Sequence, residues 1–132
     1  MSSTIKAIGI DTVAVQRFVH WYEYSTKQLQ KIFSTEEIEY AFSNPTFFAQ
    51  RLAVRFAAKE AFFKALQQIM PDKRLSLLQI AKVVSVTKEK SGKPMLVANW
   101  ETLLNNSIEY KTLLSLSHES CHSTAIVLLM KN

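Results

Sequence analysis

Glycine is almost missing from this chain: Gly9 and Gly92 are the only two among 132 residues. Phosphate-cradling loops of the G-x-G-x-x-G and P-loop kinds need several glycines, so neither is available. Any phosphate chemistry must rest on side chains, with or without a metal. Cysteine occurs once, at Cys121, which excludes an internal disulfide. With no long apolar run ahead of a small-residue cleavage site between Met1 and Asp11, this predicts a reducing, cytoplasmic setting. No stretch approaches the ~20 apolar residues of a membrane span. Repeats, low-complexity tracts and linkers are absent as well. What is present is a composition of 48% hydrophobic and 20% charged residues, which supports a packed core and not disorder. The length predicts one domain, 1–132, burying roughly two thirds of its unfolded surface without help from a bridge or a structural metal.

The net charge of +5 suits an anionic partner without naming one. Its distribution says more. Between Arg51 and Lys93 there are ten basic residues against three acids, Glu60, Asp72 and Glu89, a local +7 that leaves −2 for the remainder. For any single lysine or arginine in this segment, a solvated helix or hairpin surface is the ordinary reading.

Ile5-Lys6-Ala7-Ile8-Gly9-Ile10 is short, β-branched and apolar, and predicts a buried strand that stops at Asp11, with Asp11 capping a helix from Val13 to Tyr22. Ser34-Thr35-Glu36-Glu37 predicts a capped helix start, with either hydroxyl as the cap and acids in the first turn, ending near Ser43-Asn44-Pro45. The longest periodic segment, Phe47 to Met70, has no glycine or proline inside it and predicts a long helix closed by Pro71. Val83–Thr87 and Met95–Ala98, joined through Lys90-Ser91-Gly92-Lys93-Pro94, predict a hairpin with Gly92 in the strained turn position. A short helix from Trp100 to Asn105 and two strands, Thr112–Ser117 and Thr124–Met130, complete an α+β order with a long helix against a small, mainly antiparallel sheet.

His118-Glu119-Ser120-Cys121-His122 matches the two-histidine zinc motif H-E-x-x-H. That chemistry needs a helix, because only i, i+4 spacing turns both imidazoles to one metal. The flanks here are strand-like and no third ligand follows, so the match is set aside.

The helix motif is more informative. In Arg55-Phe56-Ala57-Ala58-Lys59-Glu60-Ala61-Phe62-Phe63-Lys64-Ala65, Glu60 and Lys64 lie about 40° apart on one face, with Ala53 and Ala57 leaving room beside them. Such a pair is most often a surface ion pair worth ~0.3–0.5 kcal/mol. A functional role needs a second acid, and Asp11 can supply it: two carboxylates from separate elements hold Mg²⁺, which takes substrate phosphates and water as its remaining ligands.

Ile8-Gly9-Ile10-Asp11 followed by Arg17-Phe18, then Ile32-Phe33-Ser34-Thr35-Glu36-Glu37 with Tyr40, the Arg55–Ala61 motif with Lys64-Ala65, Gly92-Lys93-Pro94, and Leu116-Ser117-His118 together resemble the holo-[acyl-carrier-protein] synthase family of 4′-phosphopantetheinyl transferases. The resemblance spans nearly the entire chain. It implies Mg²⁺-dependent transfer of phosphopantetheine from coenzyme A to a serine of apo acyl carrier protein, releasing adenosine 3′,5′-bisphosphate. It implies Asp11 and Glu60 as metal ligands and Lys64 near the pyrophosphate, these three forming the catalytic set. Arg55, His118 and the Gly92-Lys93-Pro94 turn would line the coenzyme pocket, and Arg17 would touch the carrier. A homotrimer with each coenzyme between two subunits is also implied.

Two departures from the family pattern bear on phosphate binding. A Gly-rich turn usually follows the helix motif, whereas Leu66-Gln67-Gln68-Ile69-Met70 has no glycine. The segment before the motif is often basic, whereas Ser43 to Gln50 carries no charge. Both leave the metal pair untouched. The competing readings are a small basic nucleic-acid-binding module using the +7 segment, and a catalytically silent relative that binds a carrier protein. Carboxylates placed where phosphate must approach disfavour the first, and the presence of Asp11, Glu60 and Lys64 together disfavours the second. The helical wheel adds an expectation about assembly: Arg55 lies about 140° from Glu60, with Arg51 and Lys59 beside it, so one helix face would serve the chain's own metal and the other a neighbour or its ligand.

Overall fold

Gly9 decides how closely the long helix can approach the sheet. A Cβ at that position would overlap the Ala61 carbonyl oxygen and press on the Ala65 backbone nitrogen, so only glycine lets strand and helix touch there. The computed structural model describes residues 3–104 and 110–131. Its elements are β1 (Thr4–Ala14), a 3-10 segment (Val15–Glu23), α1 (Thr26–Leu29), α2 (Thr35–Phe42), a 3-10 turn (Pro45–Phe47), α3 (Phe48–Ile69), α4 (Leu77–Lys82), β2 (Val84–Lys88), β3 (Pro94–Ala98), α5 (Trp100–Leu104), β4 (Lys111–His118) and β5 (His122–Lys131). The predicted end of the short helix at Asn105 lies outside the described residues.

Among the described residues the strands form a three-stranded antiparallel sheet in the order β1-β5-β4 and a β2-β3 hairpin. Thr112 Oγ1 donates to the Leu96 carbonyl at 2.9 Å and ties the two together. The inner face of the larger sheet presents Ala7, Val13, Ala125, Val127 and Leu129, all buried, to α3. On α3, Ala53, Ala57, Ala58, Ala61 and Ala65 are fully buried, the small residues that let the helix lie close. Phe18, Phe48 and Phe62 fill the space at its flanks, each burial contributing ~1.5–3 kcal/mol.

β1 corrects two expectations. It does not stop at Asp11 but continues to Ala14, because Thr12 and Val13 keep pairing with Thr124 and Ser123 of β5. Asp11 therefore caps no helix. It sits within the strand, and the following 3-10 segment begins after Ala14 with no side-chain cap. Nor is β1 buried on both faces. Its isoleucines Ile5, Ile8 and Ile10 are more than half exposed on the outer face, where Ile126 and Leu113 join them. On the inner face Ala7 and Gly9 are small, and at Gly9 the α3 backbone leaves no room for any side chain.

Elsewhere local chemistry prevails. Ser34 caps α2, its hydroxyl accepting from the Glu37 N–H while the Glu37 carboxylate accepts from the Ser34 N–H. The same reciprocal arrangement of Ser25 and Gln28 starts α1, which the sequence reading did not anticipate. The short helix α4, after Ser76, was also missed. Gly92 takes φ 87° at the hairpin turn, as expected.

Candidate active site

β1 and α3 run against each other and bring Asp11, Glu60 and Lys64 together. Lys64 Nζ donates to Asp11 Oδ1 at 2.9 Å and to the Ile10 carbonyl at 3.0 Å. Asp11 Oδ2 is buried and has no hydrogen-bond partner. The Glu60 carboxyl lies against Asp11, and burial first, then the hydrogen bond and negative charge of Asp11, push its pKa up to about 7, with Arg17 and Lys64 opposing. Arg17 is exposed and holds its guanidinium over the Phe56 ring at 4.8 Å.

Two carboxylates pressed together, with one buried Asp11 oxygen that no N–H reaches, form a site short of positive charge. A divalent cation fits that deficit. No group of three or more His, Cys, Asp and Glu gathers among the described residues. The chain would thus offer a cation two carboxylates and leave other positions to water and phosphate, which is the habit of Mg²⁺.

On another flank of α3 a cleft of about 440 Å³ is lined by Arg51, Arg55, Lys88, His118, Pro94 and Tyr40, among others, and by no carboxylate. Three cations surround the Tyr40 ring, with Arg51 at 4.0 Å, Lys88 at 4.4 Å and Arg55 at 4.5 Å from its centre. Lys88 Nζ also donates to the phenol oxygen at 2.6 Å, and this bond chiefly lowers the Tyr40 pKa. Arg51 is fixed by the Tyr40 carbonyl and the Ser43 hydroxyl, at 2.6 and 2.9 Å. Arg55 is buried, which lowers its own pKa, and its Nε has no partner. Charges of one sign collected around a phenol, with a buried guanidinium N–H left over, call for an anion.

Of the predicted coenzyme-pocket residues, Arg55, Pro94 and His118 share this cleft. Gly92 and Lys93 stand exposed at the hairpin turn outside its lining, and Lys64 stays with the carboxylates. Tyr40, Arg51 and Lys88 belong to the cleft but were not singled out for it. The helical wheel puts Arg51 beside Arg55 and the family resemblance includes Tyr40, but for Lys88 the basic count is the only signal, since nothing in the spacing links α2, α3 and β2.

Lys59 departs furthest from the solvated reading. It is fully buried, 2.8 Å from Glu37 Oε1, and also donates to the Ile32 and Ala81 carbonyls at 2.6 and 3.1 Å. It faces neither a neighbour nor a ligand. Glu37 in turn accepts from the backbone N–H groups of Ser34 and Val86. The setting aside of H-E-x-x-H agrees with the fold: His118 ends β4, His122 begins β5, and the residues between them are no helix.

The sequence profile of the 4′-phosphopantetheinyl transferase superfamily matches residues 7–126. A holo-[acyl-carrier-protein] synthase of Treponema denticola is 37% identical over 127 residues, covering 95% of this chain and 98% of the relative. One from Ehrlichia chaffeensis is 37% identical over 134 residues, covering 95% and 96%. Among solved structures, the ACPS–CoA complex of Chronobacterium ammoniagenes has a TM-score of 0.76 at 25% identity, covering 100% of this chain and 99% of the other. A holo-(acyl-carrier-protein) synthase of Bacillus anthracis in complex with CoA (3′,5′-ADP) has a TM-score of 0.75 at 26% identity, covering 97% and 98%. The α+β fold with its long helix and small antiparallel sheets is the fold of those proteins, and this chain belongs to the 4′-phosphopantetheinyl transferase superfamily.

Proposed function

We propose that this chain is a holo-[acyl-carrier-protein] synthase, which moves 4′-phosphopantetheine from coenzyme A to a serine hydroxyl of an apo acyl carrier protein and releases adenosine 3′,5′-bisphosphate. The observation that carries the reading is the Asp11–Glu60 carboxylate pair, with an orphaned buried oxygen, beside the Lys64 ammonium. Asp11 and Glu60 would hold Mg²⁺, which supplies a double positive charge for the coenzyme pyrophosphate when bound. Lys64, half exposed at the same place, is free to turn its ammonium to developing phosphate charge. The cleft around Tyr40 supports a second anionic contact: Arg51, Arg55 and Lys88 would take a coenzyme phosphate, with His118 and Pro94 beside it. That answers the missing charge between Ser43 and Gln50, since the cations come from α3 and β2 instead.

Carboxylates and cleft lie on different flanks of α3, so a second copy of the chain is the simplest way to bring both to one coenzyme. The outer sheet face, with exposed Ile5, Ile8, Ile10, Leu113 and Ile126, is a fitting surface for it, and a closed homotrimer is our reading. Arg17, exposed next to Glu60, is the proposed contact for the acidic carrier. The setting is the cytoplasm, and no helix among the described residues is long and apolar enough to cross a membrane. The nucleic-acid reading is weakened at Lys59, which is buried against Glu37 and so unavailable to a phosphate backbone.

The test is to incubate the protein with coenzyme A, Mg²⁺ and an apo carrier protein and to weigh the carrier. A gain of one phosphopantetheine is expected, and an unchanged mass with an active control synthase in parallel contradicts the reading. Sedimentation of the same sample should give a trimer; a fully active monomer removes the assembly from the proposal.

A further inference from the structure

We propose that Gln68 is a positioning residue: its amide clamps the free edge of β1 and holds that strand in register on α3, so that Asp11 stays opposite Glu60 when Lys64 leaves the strand. The inference rests on reading Asp11 and Glu60 as the cation-holding pair.

Gln68 Oε1 accepts from the Ile8 N–H at 3.0 Å, and Gln68 Nε2 donates to the Ile8 carbonyl at 2.8 Å. Donor and acceptor of one amide thus meet acceptor and donor of one residue, as a neighbouring strand would. β1 is an edge strand, so these groups have no strand partner on that side. Glu60, Lys64 and Gln68 follow one another at i, i+4 and i+8 and form a single stripe along α3 facing β1. Lys64 holds the same edge one step further along, through the Ile10 carbonyl and Asp11. Between the two holds lies Gly9, where strand and helix backbones are in contact.

The two holds respond differently to ligands. A cation on Asp11 repels the Lys64 ammonium and a phosphate attracts it, so both contacts from Lys64 to β1 weaken as the site fills. The Gln68 amide carries no charge, and its bonds to Ile8 are indifferent to either. The strand segment that ends in Asp11 therefore keeps a fixed hold on α3 while its neighbouring hold is given up.

The experiment compares wild type, Gln68→Ala and a neighbouring control, Gln67→Ala, without coenzyme. Mn²⁺ binding is followed by the electron paramagnetic resonance of the free ion, and hydrogen exchange at the Ile8 amide by nuclear magnetic resonance. Gln68→Ala should weaken Mn²⁺ binding about tenfold, the equivalent of one hydrogen bond, and should speed Ile8 exchange by a similar factor. Gln67→Ala should change neither. If Gln68→Ala does not fold, Gln68→Met serves: it keeps the length of the side chain without charge, loses both hydrogen bonds to Ile8, and should weaken Mn²⁺ binding to a similar extent. Equal Mn²⁺ affinity in wild type and the Gln68 variant overturns this inference alone, as does unchanged Ile8 exchange. A wild-type protein that does not bind Mn²⁺ overturns it together with the cation-site reading.

Discussion

Two lysines five positions apart on α3 each meet a carboxylate at almost the same distance, Lys59 with Glu37 at 2.8 Å and Lys64 with Asp11 at 2.9 Å. Distance does not tell them apart; satisfaction and exposure do. Both side chains of the first pair are fully buried, and every strong contact is answered: Lys59 donates to three acceptors and Glu37 accepts from two backbone N–H groups besides. That network joins α2, α3, α4 and β2 and leaves nothing to bind. In the second pair the lysine side chain is 51% exposed, Asp11 keeps an oxygen without a partner, and a second carboxylate is pushed against it. An ion pair that closes its own account is architecture, and one that leaves a deficit is a place for a ligand.

The largest effect expected is on stability. Lys59→Met leaves Glu37 buried without its counter-charge and should cost ~3–5 kcal/mol in chemical denaturation. Lys64→Met removes a pair whose lysine is half exposed and should cost far less, ~1 kcal/mol, while lowering transfer turnover well below that of wild type. Equal losses of stability would erase the distinction.

The pH dependence sharpens it. Glu60 in the folded chain holds its proton up to about pH 7, whereas in the unfolded chain it releases it near the ordinary glutamate value of 4.5. Between those values the folded state binds more protons than the unfolded state, so this group makes stability fall as pH rises through the window, and the loss is complete above it. Melting temperatures at pH 5 and pH 8 should show the fall in wild type and a smaller one in Glu60→Gln. Adding Mg²⁺ at pH 8 should raise the melting temperature of wild type and leave that of Glu60→Gln nearly unchanged.

Smaller effects concern binding. Arg51→Ala and Lys88→Met should each weaken coenzyme A about tenfold in a direct titration, the size of one charge-assisted contact. The folding network of Lys59 should be untouched in both, as read from their denaturation midpoints. Arg17→Ala should raise the KM for the carrier by a factor of ~2–5, an exposed pair's worth, and the difference should shrink as salt is added because steering is screened.

The comparison also explains which parts of the molecule could be read from the chain alone. α3 was readable because 22 residues without glycine or proline leave no alternative, and α2 because Ser34 and Glu37 write their capping in the sequence. The pairing of Asp11 with Glu60 comes first from the need for a second acid and then from the family resemblance, which implies both as metal ligands. Helical spacing by itself favoured a plain Glu60–Lys64 surface pair. What periodicity could not tell is where the sheet lies relative to the helix. Hence the isoleucines of β1, apolar enough to seem buried, are on the outer face, and Lys59, charged enough to seem solvated, is inside. Asp11 looked like a helix cap because aspartate suits that role locally, but the pairing of Thr12 and Val13 with β5 overrides it.

The central claim is that the Asp11–Glu60 pair beside Lys64 is the transfer centre, and the most direct measurement is the mass of an apo carrier protein after incubation with coenzyme A, Mg²⁺ and either wild type, Asp11→Asn or Glu60→Gln. Complete conversion by wild type, none by either folded variant, and none by wild type in excess chelator is the predicted result; full conversion by Glu60→Gln, or by wild type in the chelator, would contradict it.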